Sequence, residues 1–314
     1  MKIQFLNNIA LDVVSGGNIY NQELIKGLKS HDIFVDYNMV PANKEYHITI
    51  IDSLCMSHLD VKKLDVNTRK IALIHQLPEI SGDRLEYFKE NSSFVVTGEP
   101  TKLKLINLWG VNEKNVVVIR PGVPNNWVSK KIFRDNPFRL ILIANLIPNK
   151  GFDLLSDILK ELVHLDLEFH IIGNNQLDSV YSNHITDLIK NNSKCVKFHF
   201  NLNRTQVYEE LKMADLFLSV SSSESFGMSI LEALSINLPC ISYSTGDVEF
   251  FNQYSNYIKI DEYSKFHFIE IIEKMVVSAP YYKQYCKPHL VTNRTWENTT
   301  EEFSKYLYNQ CVSC

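Results

Sequence analysis

The sequence predicts an α/β protein built from two doubly wound, parallel-sheet domains. Three observations carry this expectation. The chain has 314 residues, enough for two domains at roughly 100–200 residues each. Short apolar or β-branched runs alternate with helical patterns almost throughout, as parallel sheets with right-handed crossovers require. That alternation breaks once, at "RPGVPNNWVSKKIFRDNPF" (120–138), whose proline, glycine, asparagine and charge suit an interdomain connection.

In chain order, the front half offers strands at "KIQFL" (2–6), "HITIID" (47–52), "KIALIH" (70–75), "SFVVT" (93–97) and "NVVVI" (115–119), with helical patterns over Asn18–Lys29 and Thr101–Trp109. Several runs are apolar without alternation, the mark of strands covered on both faces. The pattern restarts at "FRLILIA" (138–144) and continues through "LEFHIIG" (167–173), "CVKFHF" (195–200), "DLFLSV" (215–220), "LPCIS" (238–242) and "YIKI" (257–260). The expected division is therefore 1–122, 123–285 and a C-terminal helical segment, 286–314.

Composition is that of an ordinary globular protein, 45% hydrophobic and 22% charged, with net charge −4. The first 123 residues balance to neutrality, so neither half reads as a nucleic-acid binder. No run approaches the ~20 apolar residues of a membrane span, and the start is too short in apolar residues for a signal-peptide core. Six scattered cysteines, with Cys311 and Cys314 as an unmatched C-x-x-C, read as reduced thiols of a cytoplasmic protein rather than a metal site.

Ligands in such sheets bind beyond the carboxyl ends of the strands, so the loops there are the candidates for chemistry. After the first strand, Ser15-Gly16-Gly17 opens a helix, either as a plain cap or as backbone approaching an anion. After "FRLILIA", Lys150-Gly151 precedes a helix, a place for a phosphate or for a solvated lysine. After "DLFLSV" comes "SSSESFGMSILEAL" (221–234), with Glu224 before a helix that starts near Phe226-Gly227 and Glu232 inside it. Two carboxylates so spaced reach opposite ends of one polyhydroxylated ligand, while the first-turn N–H groups meet its phosphates. The chain contains no D-x-D, the pattern a divalent cation would favour there.

These segments resemble the retaining glycosyltransferases of the GT-B fold, glycosyltransferase family 4. "ESFGMSILEAL" resembles the family's E-x7-E segment and "ANLIPNKGFDLL" its "R-L-x-x-x-K-G" turn. "SGGNIYNQELIKGL" is similar to the Gly-Gly loop with its first helix, and "VVTGEPTKLKLINLWGVNEKNVVVIRPGV" to the stretch leading to the interdomain "N-G-V". "STGDVEFF" resembles the "G-G-x-x-E" loop and "TWENTTEEFSKYL" the C-terminal helix.

The resemblance implies two Rossmann-like domains facing a deep cleft, the first binding an acceptor, the second a sugar nucleotide, with the last helix crossing back to the first. It implies that Glu224 holds the donor sugar and Glu232 the ribose, that Lys150 neutralises the diphosphate, and that Phe226, Gly227, Met228 and Ser229 line sugar and diphosphate. Gly16 and Gly17 would approach the phosphates, Asn145 and Gly173 would border the donor, and His75 would stand near the reacting sugar. Asn145 replaces the family's usual arginine, with Arg204 or Arg120 as substitutes. The implied activity is retaining, metal-independent transfer from a UDP- or GDP-linked sugar to a hydroxyl acceptor, a glycan or lipid-linked saccharide among them. No cofactor is implied. "DVKKLDVNTRK" (60–70) and "TKLKLINLW" (101–109) are candidates for weak contact with an inner membrane face. The alternatives are an epimerase-like enzyme of similar fold or a catalytically inactive sugar-nucleotide binder.

Overall fold

The computed structural model describes residues 1–7, 14–41, 45–127, 137–193, 195–286 and 293–312. Residues 128–136 of the 120–138 connection, and Cys314, lie outside the described residues. The chain divides into two compact units: residues 1–122 with 294–314, and residues 123–293.

The first unit contains β1 (Lys2–Leu6), α1 (Gly16–Ser30), β2 (Phe34–Asn38), β3 (Ile48–Asp52), α2 (Ser53–Met56), β4 (Arg69–Ile74), α3 (Gly82–Asn91), β5 (Ser92–Val96), α4 (Glu99–Trp109) and β6 (Val116–Val118). Its six strands are all parallel, in the order β2-β1-β3-β4-β5-β6. The order reverses between β1 and β3. All five residues of β3 are buried, which explains why "ITII" shows no alternation between apolar and exposed polar residues. One face carries Ile51, Ala72, Ile74, Phe94 and Val96 against Leu105 and Trp109 of α4. β2 did not emerge from the sequence: at the sheet edge it buries only Val35 fully, so "FVDYN" lacks the apolar run of its neighbours.

The second unit contains β7 (Phe138–Ile143), α5 (Phe152–Glu161), β8 (Leu167–Gly173), α6 (Ser179–Asn192), β9 (Val196–Phe200), α7 (Arg204–Met213), β10 (Leu216–Ser219), α8 (Met228–Ser235), β11 (Cys240–Tyr243), α9 (Val248–Phe251), β12 (Tyr257–Ile260), α10 (Lys265–Val277) and α11 (Ala279–Tyr285). Its parallel order is β12-β11-β10-β7-β8-β9, reversing between β7 and β10. Alternate residues of β7 serve opposite cores. Leu140 and Leu142 join Leu155, Ile158 and Ile185 on one face, while Ile141 joins Leu211, Ile230 and Leu234 on the other. A side chain of this kind contributes about 1.5–3 kcal/mol on burial, so helices on both faces stabilise the sheet.

The last helix, α12 (Trp296–Val312), packs on α1 of the first unit. Trp296 meets Tyr20 edge-on with ring centroids 5.8 Å apart. Gly27 lets the helices approach so closely that a Cβ there would collide with the Thr300 side chain. Among the described residues no helix is long and apolar enough to cross a membrane.

Candidate functional site

Both strand-order reversals collect polar side chains at carboxyl strand ends, where doubly wound sheets hold ligands.

In the first unit, the Ser15 hydroxyl caps α1 by accepting from the Asn18 N–H at 3.2 Å. Gly16 and Gly17 form the first turn, and the missing side chain of Gly17 admits His75. A Cβ there would stand 3.1 Å from His75 Cδ2, closer than such contacts ordinarily allow. His75 follows β4, its backbone N–H donating to Ser53 Oγ at 3.2 Å. Its Nε2 lies 2.9 Å from Asn21 Oδ1 and 3.4 Å from Asp52 Oδ2, and Asn21 Nδ2 donates to Asp52 Oδ2 at 2.5 Å.

Two acceptors around Nε2 assign a proton to that nitrogen. Asp52 is fully buried. Burial alone would raise its pKa. Charge on His75, with hydrogen bonds from His75, the Leu54 N–H and Asn21, holds the carboxyl below its ordinary value instead. Asn21 and Asp52 escaped the sequence reading, although an acid ending an apolar strand was a visible signal.

In the second unit, the turn after β7 meets the loop after β10. The Ser222 N–H and hydroxyl donate to the Asn149 carbonyl at 3.0 and 3.2 Å. Gly151 has φ +73°, and a Cβ there would strike the Val220 carbonyl oxygen. Only glycine serves both conditions. The turn presents Lys150, whose Nζ donates to Glu224 Oε1 at 2.7 Å. Glu224 is held from behind, its N–H donating to Thr245 Oγ1 at 2.8 Å.

Gly227, at φ +102°, is the N-cap of α8, which has no side-chain cap and no acid in its first turn. Met228 and Ser229 therefore start a helix whose N–H groups are suited to an anion. Glu232, one turn on, is buried and accepts from Arg204 Nη2 at 2.6 Å.

Three expected donor residues have structural work of their own. Phe226 is buried among Ile230 and Phe251, and its carbonyl accepts from the Asp247 N–H at 2.8 Å, so its side chain is core. Asn145 Oδ1 accepts from the Asn174 N–H at 3.2 Å, tying together the ends of β7 and β8. Gly173 ends β8 so close to β7 that a Cβ would strike the Ala144 carbonyl oxygen. Of the substitutes considered for the arginine missing at Asn145, Arg204 is engaged with Glu232. Arg120 belongs to the first unit, 3.6 Å from Glu99.

Potential metal donors gather elsewhere among the described residues. His170, His199 and Glu210 bring ligand atoms within 4.8 Å of one another. The Arg139 guanidinium donates to both His170 Nδ1 (2.6 Å) and Glu210, so a fixed cation already occupies the lone pairs a metal would use.

Comparison with known proteins identifies the family. A family described as "Glycosyl transferases group 1" matches residues 125–287, just over half of the chain. The glycogen synthase of Thermosipho melanesiensis is 25% identical over 185 residues, covering 55% of this chain and 37% of that protein. The chain spans 21% to 37% of the length of the curated relatives it matches.

Among solved structures, sucrose-phosphate synthase from Thermosynechococcus elongatus has a TM-score of 0.81 at 13% identity, over 99% of both chains. Anabaena Alr3699/HepE in complex with UDP-glucose has the same TM-score at 15% identity, over 98% of this chain and 100% of that one. These likenesses show a GT-B fold. With two parallel six-stranded sheets and the family match over its second unit, the chain belongs to the glycosyl transferases group 1 family.

Proposed function

We propose that this protein is a retaining, metal-independent glycosyltransferase that moves a sugar from a UDP- or GDP-linked donor to a hydroxyl acceptor. The observation that carries this reading is the meeting of Lys150, Glu224 and the uncapped start of α8 at one strand-order reversal. As the bond between sugar C1 and the diphosphate oxygen breaks, negative charge grows on the leaving phosphate. Lys150 and the first-turn N–H groups of α8 stabilise that charge where it develops. Glu224 orients the sugar hydroxyls and Glu232 the ribose.

The acceptor oxygen attacks C1 from the face the diphosphate leaves, and its proton passes to the departing phosphate, so configuration is retained. In the first unit, Asp52 and Asn21 fix the His75 ring for the acceptor side of the reaction. The family match to the second unit and the Anabaena complex with UDP-glucose support the donor class.

The test is incubation with a panel of labelled sugar nucleotides and glycan or lipid-linked acceptors in excess EDTA, with the product's anomeric configuration read by NMR. Transfer with retention supports the proposal. Inversion, or activity that returns only on adding Mn²⁺ or Mg²⁺, overturns the mechanism.

A further inference from the structure

The last turn of α8 carries no basic side chain of its own. The negative end of the helix dipole and the orphan carbonyls there are met by asparagines instead. Asn237 follows the C-cap Ile236 with φ +61°, and its backbone N–H donates to the Leu234 carbonyl at 3.0 Å. Asn256, wholly buried ahead of β12, donates from Nδ2 to the carbonyls of Leu238 at 2.9 Å and Leu234 at 3.5 Å. Asn293, the last residue of the second unit, donates from Nδ2 to the Ser235 carbonyl at 2.8 Å.

These bonds fix the sense of two amides. Nδ2 of Asn256 and of Asn293 is committed to carbonyls, so each Oδ1 is left for some other donor. Neither oxygen, nor Oδ1 of Asn237, has a hydrogen-bond partner among the described residues, although all three atoms are shut off from solvent. Buried acceptors are ordinarily met. A single water brings only two protons and cannot serve three of them. A cation can, and it also offsets the negative end of the helix. The three side chains offer neutral oxygen alone, without carboxylate, imidazole or thiolate, a set that suits a monovalent ion better than a divalent or transition metal. We propose that the C-terminal end of α8 is a site for a monovalent metal cation, K⁺ or Na⁺, held by Oδ1 of Asn237, Asn256 and Asn293. The ion fastens the chain before β12 and the end of the second unit to this helix. It lies at the opposite end of α8 from Met228, so it takes no part in the chemistry of the leaving group.

The test is thermal melting of the full chain in KCl, NaCl and choline chloride at matched ionic strength, for the wild type and Asn237→Gly. Glycine removes one oxygen while accepting the positive φ, so the variant should melt in choline chloride at least as high as the wild type. The wild-type melting temperature should rise with the concentration of K⁺ or Na⁺ and not with choline, the larger rise identifying the preferred ion. In Asn237→Gly the concentration giving half that rise should increase about tenfold or more. Crystals soaked in Rb⁺ or Tl⁺ for a K⁺ site should show an anomalous peak touching the three amide oxygens, and for a Na⁺ site the same peak should appear in density grown in NaCl and not in choline chloride. Equal melting in all three salts overturns the site. A rise that Asn237→Gly leaves undiminished is a general salt effect and overturns it too, as does an ion located elsewhere.

Discussion

Lys150 Nζ lies 2.7 Å from Glu224 Oε1, joining the turn after β7 to the loop after β10 across the point where strand order reverses. The cation that would meet a diphosphate and the carboxylate that would hold a sugar thus neutralise each other. On the proposed function, a donor separates them, putting its phosphates on the lysine and its hydroxyls on the acid.

Replacing the lysine isolates the phosphate half of that exchange. Lys150→Ala should weaken bare nucleoside diphosphate about ten- to hundredfold, the loss of a charge-assisted hydrogen bond of ~1.5–3 kcal/mol. Fluorescence or calorimetric titration checks it.

Behind His75, Asp52→Asn keeps the shape of the side chain and its acceptor for the Leu54 N–H while removing the charge beside the imidazole. Turnover should fall at least roughly tenfold, since a ring fixed by a neutral amide loses its assigned proton position. Nucleotide affinity, which the proposal assigns to the second unit, should stay within about twofold of wild type. Equal loss of both would mean that Asp52 serves the fold alone.

Acid stability has a separate origin in the second unit. Burial, reinforced by the Arg139 charge, pushes the His170 imidazole from its ordinary 6.5 down to about 4. The unfolded chain therefore takes up a proton that the folded one refuses between those values, and stability falls as pH drops through this window. The full effect is about 3 kcal/mol at most. Urea midpoints measured from pH 7.5 to 4.5 should decline, and His170→Gln should flatten the decline. An equally steep decline in the variant would assign it to other groups.

The legible parts of this molecule were those set by local pattern. Unbroken apolar runs such as "KIALI" and "LILI" are strands covered on two faces, and "ESFGMSILEAL" places Glu224 before α8 and Glu232 within it. What stayed hidden depends on register and crossover. β2 is an edge strand whose residues are mostly half-buried, so it lacks an apolar signature. Asn21 is an unremarkable polar residue of an amphipathic helix until β3 brings Asp52 within 2.5 Å of it. Thr245 caps Glu224 from 21 residues away. Phe226 sits amid residues proposed to face the donor but is itself buried in the core, just before the chain turns at Gly227, with positive φ, into the helix start.

The most direct measurement titrates Glu224→Gln and Glu232→Gln with the sugar nucleotide that turns over best and with its bare nucleoside diphosphate. Glu232→Gln should weaken both ligands about ten- to hundredfold, because both carry ribose. Glu224→Gln should lower turnover by a similar factor and leave the bare diphosphate bound as well as in wild type or more tightly, since Lys150 is released from its partner. Bare diphosphate that weakens as much in Glu224→Gln as in Glu232→Gln would contradict the division of the donor between the two carboxylates.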